Sequence, residues 1–391
     1  MRYIVKPMSY PTKKLGEITK IVGGGTPSTK NESYWGSGHF WATPRDLAQL
    51  KITDINSTAR TITDIGLEHS SAELLPVGSV ILSSRAPIGY VAVTTEPMAI
   101  NQGCRAFICG EEINNRYLYY FLVISKKYLQ SLGRGATFTE ISKSTLEKVK
   151  IPLPPLAIQR QIVERLDKVV AAQKLNDDLI QKSDELFQSL LHKELNPVGK
   201  NWGVRKLEEL ITDTKNGFAS RPVTDGVGQM RPNNIDSDGT LNLSNIKFVP
   251  KSYRNIKNYS LKSGDILFNN TNSVELVGKT TFIDADYDYV FSNHMTRIRA
   301  NQEIVVPKFL AIFLQHLYSL GKFRFLCTPW VNQAAVNSTA LERLKIPLPS
   351  LETQKQIVAK LSAAQNYKTQ LLAQKSKFKE LFNSVLAKSF K

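Results

Sequence analysis

An internal repeat at half the length of the chain constrains this sequence more than any other feature. Ile151-Pro152-Leu153-Pro154 recurs as Ile346-Pro347-Leu348-Pro349, an offset of 195 in 391 residues. At the same offset Gln159-Arg160-Gln161-Ile162-Val163 matches Gln354-Lys355-Gln356-Ile357-Val358, and Glu185-Leu186-Phe187 matches Glu380-Leu381-Phe382. Leu146 and Lys150 fall on Leu341 and Lys345. A repeat of this size means one architecture built twice. Upstream the halves match loosely: Lys14-Leu15-Gly16-Glu17-Ile18 resembles Lys206-Leu207-Glu208-Glu209-Leu210, and Gly78-Ser79-Val80-Ile81-Leu82 resembles Gly264-Asp265-Ile266-Leu267-Phe268. Asn101-Gln102 is expected where Asn293-His294 sits in the second half. The order is variable, constant, variable, constant, with expected boundaries at 1–150, 151–196, 197–345 and 346–391.

The constant segments are expected to be long helices. Each opens on prolines, Pro154-Pro155 and Pro349, and Ser350 is a candidate N-cap. The first closes at Asn196-Pro197-Val198-Gly199. Between the marks lie about 40 residues free of Pro and Gly, roughly 60 Å of helix. Steps of four and three from Ile162 reach Leu166, Val169, Gln173, Asn176, Ile180, Ser183, Phe187 and Leu190. The same steps from Ile357 reach Leu361, Ala364, Lys368, Leu371, Lys375, Phe378, Phe382 and Val385. Six of nine and seven of nine positions are apolar, a coiled-coil seam with a polar middle. Two such helices in one chain can pair antiparallel; the alternative is that each packs along its own domain. The fold class expected is α+β, two domains related by pseudo-two-fold symmetry and separated by an antiparallel coiled coil.

Charge narrows the partners. There are 51 Lys and Arg against 34 Asp and Glu, a net +17, which favours a polyanion through counterion release. No run of about 18 apolar residues could span a bilayer, and Met1-Arg2-Tyr3-Ile4-Val5-Lys6-Pro7 lacks a signal-peptide core. Three cysteines, Cys104, Cys109 and Cys327, cannot build a disulfide framework. These features together suggest a cytoplasmic location.

The run Ile21-Val22-Gly23-Gly24-Gly25-Thr26-Pro27-Ser28 is followed by Trp35-Gly36 and by Trp41-Ala42-Thr43-Pro44-Arg45-Asp46-Leu47. With both Ile-Pro-Leu-Pro boundaries and the Trp330-Val331-Asn332-Gln333-Ala334-Ala335-Val336-Asn337 stretch, it resembles type I restriction-modification specificity subunits over essentially the whole chain. The resemblance implies two target-recognition domains, each reading half of a split, asymmetric DNA site. It also implies that the two long helices set the spacing and dock two methyltransferase subunits, which restriction subunits then join. S-adenosylmethionine, ATP and Mg would then belong to those partners, with no cofactor in this chain.

Motifs for catalysis are missing. An adenine methyltransferase needs a polar residue beside two prolines and an aromatic, whereas the only Pro-Pro here, Pro154-Pro155, lies between leucines. Gly23-Gly24-Gly25 is followed by no Gly-Lys-Ser/Thr, so it is either a flexible turn near DNA or simply a loop. No Glu-x-Lys triplet occurs, and neither His39, His69, His192, His294 and His316 nor Cys104 and Cys109 have metal-ligand spacing.

Arg, Lys, Asn and Gln are the usual readers of major-groove base edges. In the first half the candidates are Thr43, Arg45, Ser83, Ser84, Arg85, Asn101, Gln102 and Arg105, with Arg134 in Gly133-Arg134-Gly135-Ala136-Thr137-Phe138 as a phosphate holder. In the second they are Arg231, Asn233, Asn269, Asn270, Asn272, Lys279, Asn293 and His294. Each could equally be an ordinary turn residue. Trp41 and Trp330 read as core or loop anchors rather than base-stacking platforms.

Overall fold

A computed structural model describes residues 10–50, 53–85, 87–134, 139–331 and 333–390. The candidate loop positions Gly135, Ala136, Thr137 and Phe138, and Asn332, lie outside the described residues. Two compact units emerge. Unit 1 holds residues 1–178 and 372–391, and unit 2 holds 179–371. The two helical segments are therefore not bodies of their own; each is divided between the units.

Unit 1 carries strands β1 (Thr12–Lys14), β2 (Thr19–Gly23), β3 (Trp35–Ala42), β4 (Asp54–Ile55), β5 (Thr61–Ile62), β6 (Val80–Ser83), β7 (Val91–Thr94), β8 (Met98–Ile100), β9 (Cys104–Cys109) and β10 (Lys150–Pro152). Helices α1 (Pro44–Gln49) and α2 (Asn115–Ile124) belong to the same domain, and α3 (Leu156–Leu195) leaves it. The main sheet runs β2-β9-β6-β7-β4; a second runs β5-β3-β8, with β3 and β8 parallel. Continuous apolar runs such as Val80-Ile81-Leu82 are buried on both faces, as a sheet covered on both sides requires.

Unit 2 repeats the plan with β11 (Gly203–Lys206), β12 (Ile211–Asn216), β13 (Val227–Met230), β14 (Lys247–Val249), β15 (Ile266–Asn269), β16 (Thr271–Asn272), β17 (Thr280–Phe282), β18 (Tyr289–Phe291), β19 (Met295–Ala300), β20 (Thr328–Trp330), β21 (Gln333–Ala335) and β22 (Lys345–Leu348). Its helices are α4 (Pro307–Ser319) and the long α5 (Leu351–Ser389). The sheets run β12-β19-β15-β17, β14-β13-β18 and β16-β21-β20. Parallel β13 and β18 answer β3 and β8. Gly78 and Gly264 take the left-handed turn (φ 85° and 93°) that starts β6 and β15 in the two halves, a conformation that suits glycine.

The root of each long helix is locked by one fully buried glutamine. Gln159 accepts from the backbone N–H of Asn114 at 2.8 Å and donates to the carbonyls of Glu112 and Pro154. Gln354 accepts from Val306 N–H at 2.7 Å and donates to Ile304 and Pro349. Asn114 and Val306 are the N-cap residues of α2 and α4, so the same bonds orient domain against helix. Ser350 accepts from Thr353 N–H at 3.3 Å, as an N-cap should.

The expected seam is the buried one. All nine seam positions of α3 are buried or half-buried, and on α5 Lys375 alone among its nine is exposed. In unit 1, Ile162, Val163 and Leu166 share a core with Phe382, Val385 and Leu386. In unit 2, Phe187, Leu190, Leu191 and Leu195 share one with Ile357, Val358 and Leu361. Ion pairs run antiparallel: Lys375–Asp177 at 2.9 Å in unit 1, Lys368–Asp184 at 2.7 Å and Lys360–Glu194 at 3.0 Å in unit 2. The helices thus both pair with each other and pack on the domains. The end of α5 also reaches the first domain, where the Phe390 ring lies 4.9 Å from Tyr117 and 5.7 Å from Phe121. Among the described residues no helix is long and apolar enough to cross a membrane.

Candidate nucleic-acid interface

Four strand ends build one loop frame in each unit. In unit 1, Gly25 N–H donates to Ile100, Asn101 N–H to Ala42, Ser84 N–H to Gly103 and Ile141 N–H to Ser84. In unit 2 the same bonds run from Phe218 to Phe291, Ser292 to Met230, Asn270 to His294 and Val336 to Asn270. The frame corrects the expected alignment by one residue. Asn101 is matched by Ser292 and Gln102 by Asn293, because Cys104 and Met295 begin the equivalent strands β9 and β19. Recurrence of Asn in the sequence had suggested the other pairing.

Glycine at the end of β2 and β12 is a packing requirement. A Cβ on Gly24 would stand 1.9 Å from the Asn101 carbonyl oxygen, and one on Gly217 would stand 2.2 Å from that of Ser292. Gly25 is closed in by the Ala72 backbone in the same way. Gly24 and Gly25 thus lie in a loop, as one of the two readings has it, and that loop makes a close backbone approach, whereas Gly23 at the end of β2 is uncrowded.

In unit 1, Thr43 caps α1 and exchanges bonds with Asp46, and Arg45 beside it is exposed, with no ion pair among the described residues. Asn101 Oδ1 accepts from Gly103 N–H at 2.9 Å, and exposed Gln102 meets the Thr26 hydroxyl. Three candidate arginines converge on Glu140, a residue the sequence did not single out. Arg105 Nη2 donates to it at 2.8 Å, Arg85 Nη1 lies 3.8 Å away, and Arg134 forms a two-way backbone pair with it. Ser83 and Ser84 need correction. Both are fully buried, with Ser83 Oγ bonded to Pro87 O and Ser84 Oγ to Gly103 O, so they brace the frame and present nothing outward.

In unit 2, Arg231 takes the place of Thr43, its backbone N–H held by Asn234, and exposed Asn233 takes that of Arg45. Asn272 caps its neighbour Ser273 N–H, while Asn293 is exposed and His294 half-buried. Three candidates again turn inward. Asn269 donates to Leu276 O, and Asn270 sits in a chain with Thr296 and Asn216. The Lys279 ammonium, 7% exposed, donates to the carbonyls of Pro232 and Ile235 and so anchors the Arg231 loop from beneath. Burial lowers the Lys279 pKa, with nearby Asp236 opposing. Trp41 is buried, its indole N–H on Gly25 O at 2.9 Å, whereas Trp330 stands exposed at the tip of the β20–β21 hairpin. Burial also pushes the thiol of half-buried Cys109 up to about 12.

The family model for the type I restriction modification DNA specificity domain matches twice, over residues 7–182 and 199–378. The chain belongs to that family. Among curated relatives, it is 33% identical over 225 residues to the type I restriction enzyme MjaIX specificity subunit of Methanocaldococcus jannaschii, covering 52% of either chain. It is 31% identical over 193 residues to the EcoR124I/EcoR124II specificity subunit of Escherichia coli, covering 46% of this chain and 47% of that one. The chain spans about half the length of these relatives. The fold follows that of the type I restriction-modification S subunit from M. genitalium, with a TM-score of 0.58, 13% identity and coverage of 100% and 98%. A chain from a type I system complex gives a TM-score of 0.65 at 18% identity and 98% coverage of both.

Proposed function

We propose that this specificity-family chain is the sequence-reading subunit of a type I restriction-modification complex. Each unit reads one half of a split, asymmetric DNA site, and the paired helices dock two methyltransferase subunits, with restriction subunits joining them. The chain performs no chemistry itself; S-adenosylmethionine, ATP and Mg are bound by the partners.

One observation carries this reading: an identical backbone frame presents different side chains in the two units. Thr43 in unit 1 is replaced by Arg231 in unit 2, Arg45 by Asn233, and Gln102 by Asn293. A shared frame with altered donors and acceptors is what reading two different base sequences demands. The net charge of +17 supplies the sequence-independent attraction.

The test is to add methyltransferase subunits to the purified chain and map methylated adenines. A two-part motif is expected, and replacing residues 1–150 by another family domain changes one half and leaves the other. A chain that methylates or cuts DNA unaided overturns the proposal.

A further inference from the structure

We propose that Arg60 is a base-reading residue of unit 1 that selects a guanine in the half-site this unit contacts, an inference that rests on the function proposed above. Arg60 is exposed, and its guanidinium carbon lies 3.5 Å over the Trp35 ring. That ring is itself held. Its indole N–H donates to Ser28 O at 3.2 Å, and it meets Trp41 edge-on at 5.0 Å and 84°. The glycine-rich loop therefore clasps both tryptophans, and the tryptophans fix the plane of Arg60.

Charge balance separates Arg60, together with Arg45, from Arg105, Arg85 and Arg116. Arg105 and Arg85 face Glu140, and Arg116 takes both oxygens of Asp54 at 2.9 Å. Among the described residues no carboxylate forms an ion pair with Arg60. Stacking uses the face of the guanidinium and leaves its N–H donors at the edge unspent. A planar donor fork of fixed orientation matches the O6 and N7 acceptors of guanine. A phosphate clamp needs the charge but not the plane.

Arg60 also belongs to the frame already described. Its carbonyl accepts from Trp41 N–H at 3.2 Å, and Ala59 N–H donates at 2.9 Å to Asp46, the capping partner of Thr43. Its side chain is exposed, so substitution spares the fold.

The experiment maps the methylated motif of the full complex for the wild type, Arg60→Lys and Arg60→Ala, and measures the salt dependence of DNA binding. Discrimination at one guanine of the half assigned to unit 1 by domain replacement is expected to fall roughly ten-fold or more in both variants. The other half stays unchanged. A wild-type half-site without guanine, or an Arg60→Lys complex that keeps the full motif, overturns the inference. So does a uniform loss at every position with a shallower salt slope, the signature of a phosphate contact. A wild-type complex with no two-part motif instead refutes the proposed function itself.

Discussion

Arg105 donates through Nη2 to Glu140 at 2.8 Å while its Nε is buried with no partner among the described residues. Arg85 approaches the same carboxylate from 3.8 Å. One acidic side chain thus offsets two cations on the face proposed to meet DNA. Glu140→Gln keeps a hydrogen-bond acceptor and removes the charge. Non-specific DNA affinity at low salt is expected to rise severalfold, with a salt slope steeper by about one. A gel-shift series across salt concentrations checks this, and unchanged affinity counts against it.

Gln354→Ala leaves Val306 N–H and the carbonyls of Ile304 and Pro349 without their buried partner. A loss of about 2–4 kcal/mol is expected, since each stranded group costs about 1–3 kcal/mol and the site relaxes in part. Gln159→Ala should behave alike in unit 1. Urea unfolding followed by tryptophan fluorescence reads both.

Gly24→Ala and Gly217→Ala drive a methyl group into a backbone carbonyl. Each should cost at least about 1–3 kcal/mol and blur the half-site of its own unit. Gly23→Ala is the control, because nothing lies within 4 Å of its Cβ position. Equal thermal stability of Gly23→Ala and Gly24→Ala would contradict the packing argument.

Lys279 gives a pH signature. Its pKa is lowered on folding from the ordinary 10.5 because burial disfavours the ammonium. In the window below 10.5 the folded chain therefore binds fewer protons than the unfolded chain, and stability rises with pH. Wild type should gain stability relative to Lys279→Met as pH climbs through that window, as paired chemical denaturation curves would show. A parallel pH dependence in the two proteins would exclude it.

Phe390→Ala removes the ring that meets Tyr117 and Phe121. A cost of about 1–3 kcal/mol is expected for a half-buried aromatic, confined to unit 1 in a hydrogen-exchange experiment. Protection lost equally in both units would argue against that local role.

Helices and seam were legible because both constant segments bury the same heptad positions, and local spacing sets helix faces. Recognition loops were less so. Ser84 and Asn270 look like solvent-facing turn residues, yet long-range backbone bonds seat them inside the frame. Lys279 reads as a surface cation until the carbonyls of Pro232 and Ile235 are found above it. Glu140 lies 35 residues from Arg105 in sequence, and no local pattern joins them. Arg60 is hidden for a like reason: it lies just before β5, and its stacking partner Trp35 stands on β3.

Thr12 pairs with Pro152 across β1 and β10, and Gly203 pairs with Leu348 across β11 and β22. Each recognition-family domain therefore begins and ends in a two-stranded neck, its ends side by side. A cassette with adjoining ends can be exchanged at the neck for one of another size without stretching the frame that receives it. On the proposed function, exchange of a whole unit at its neck would replace one half of the DNA site.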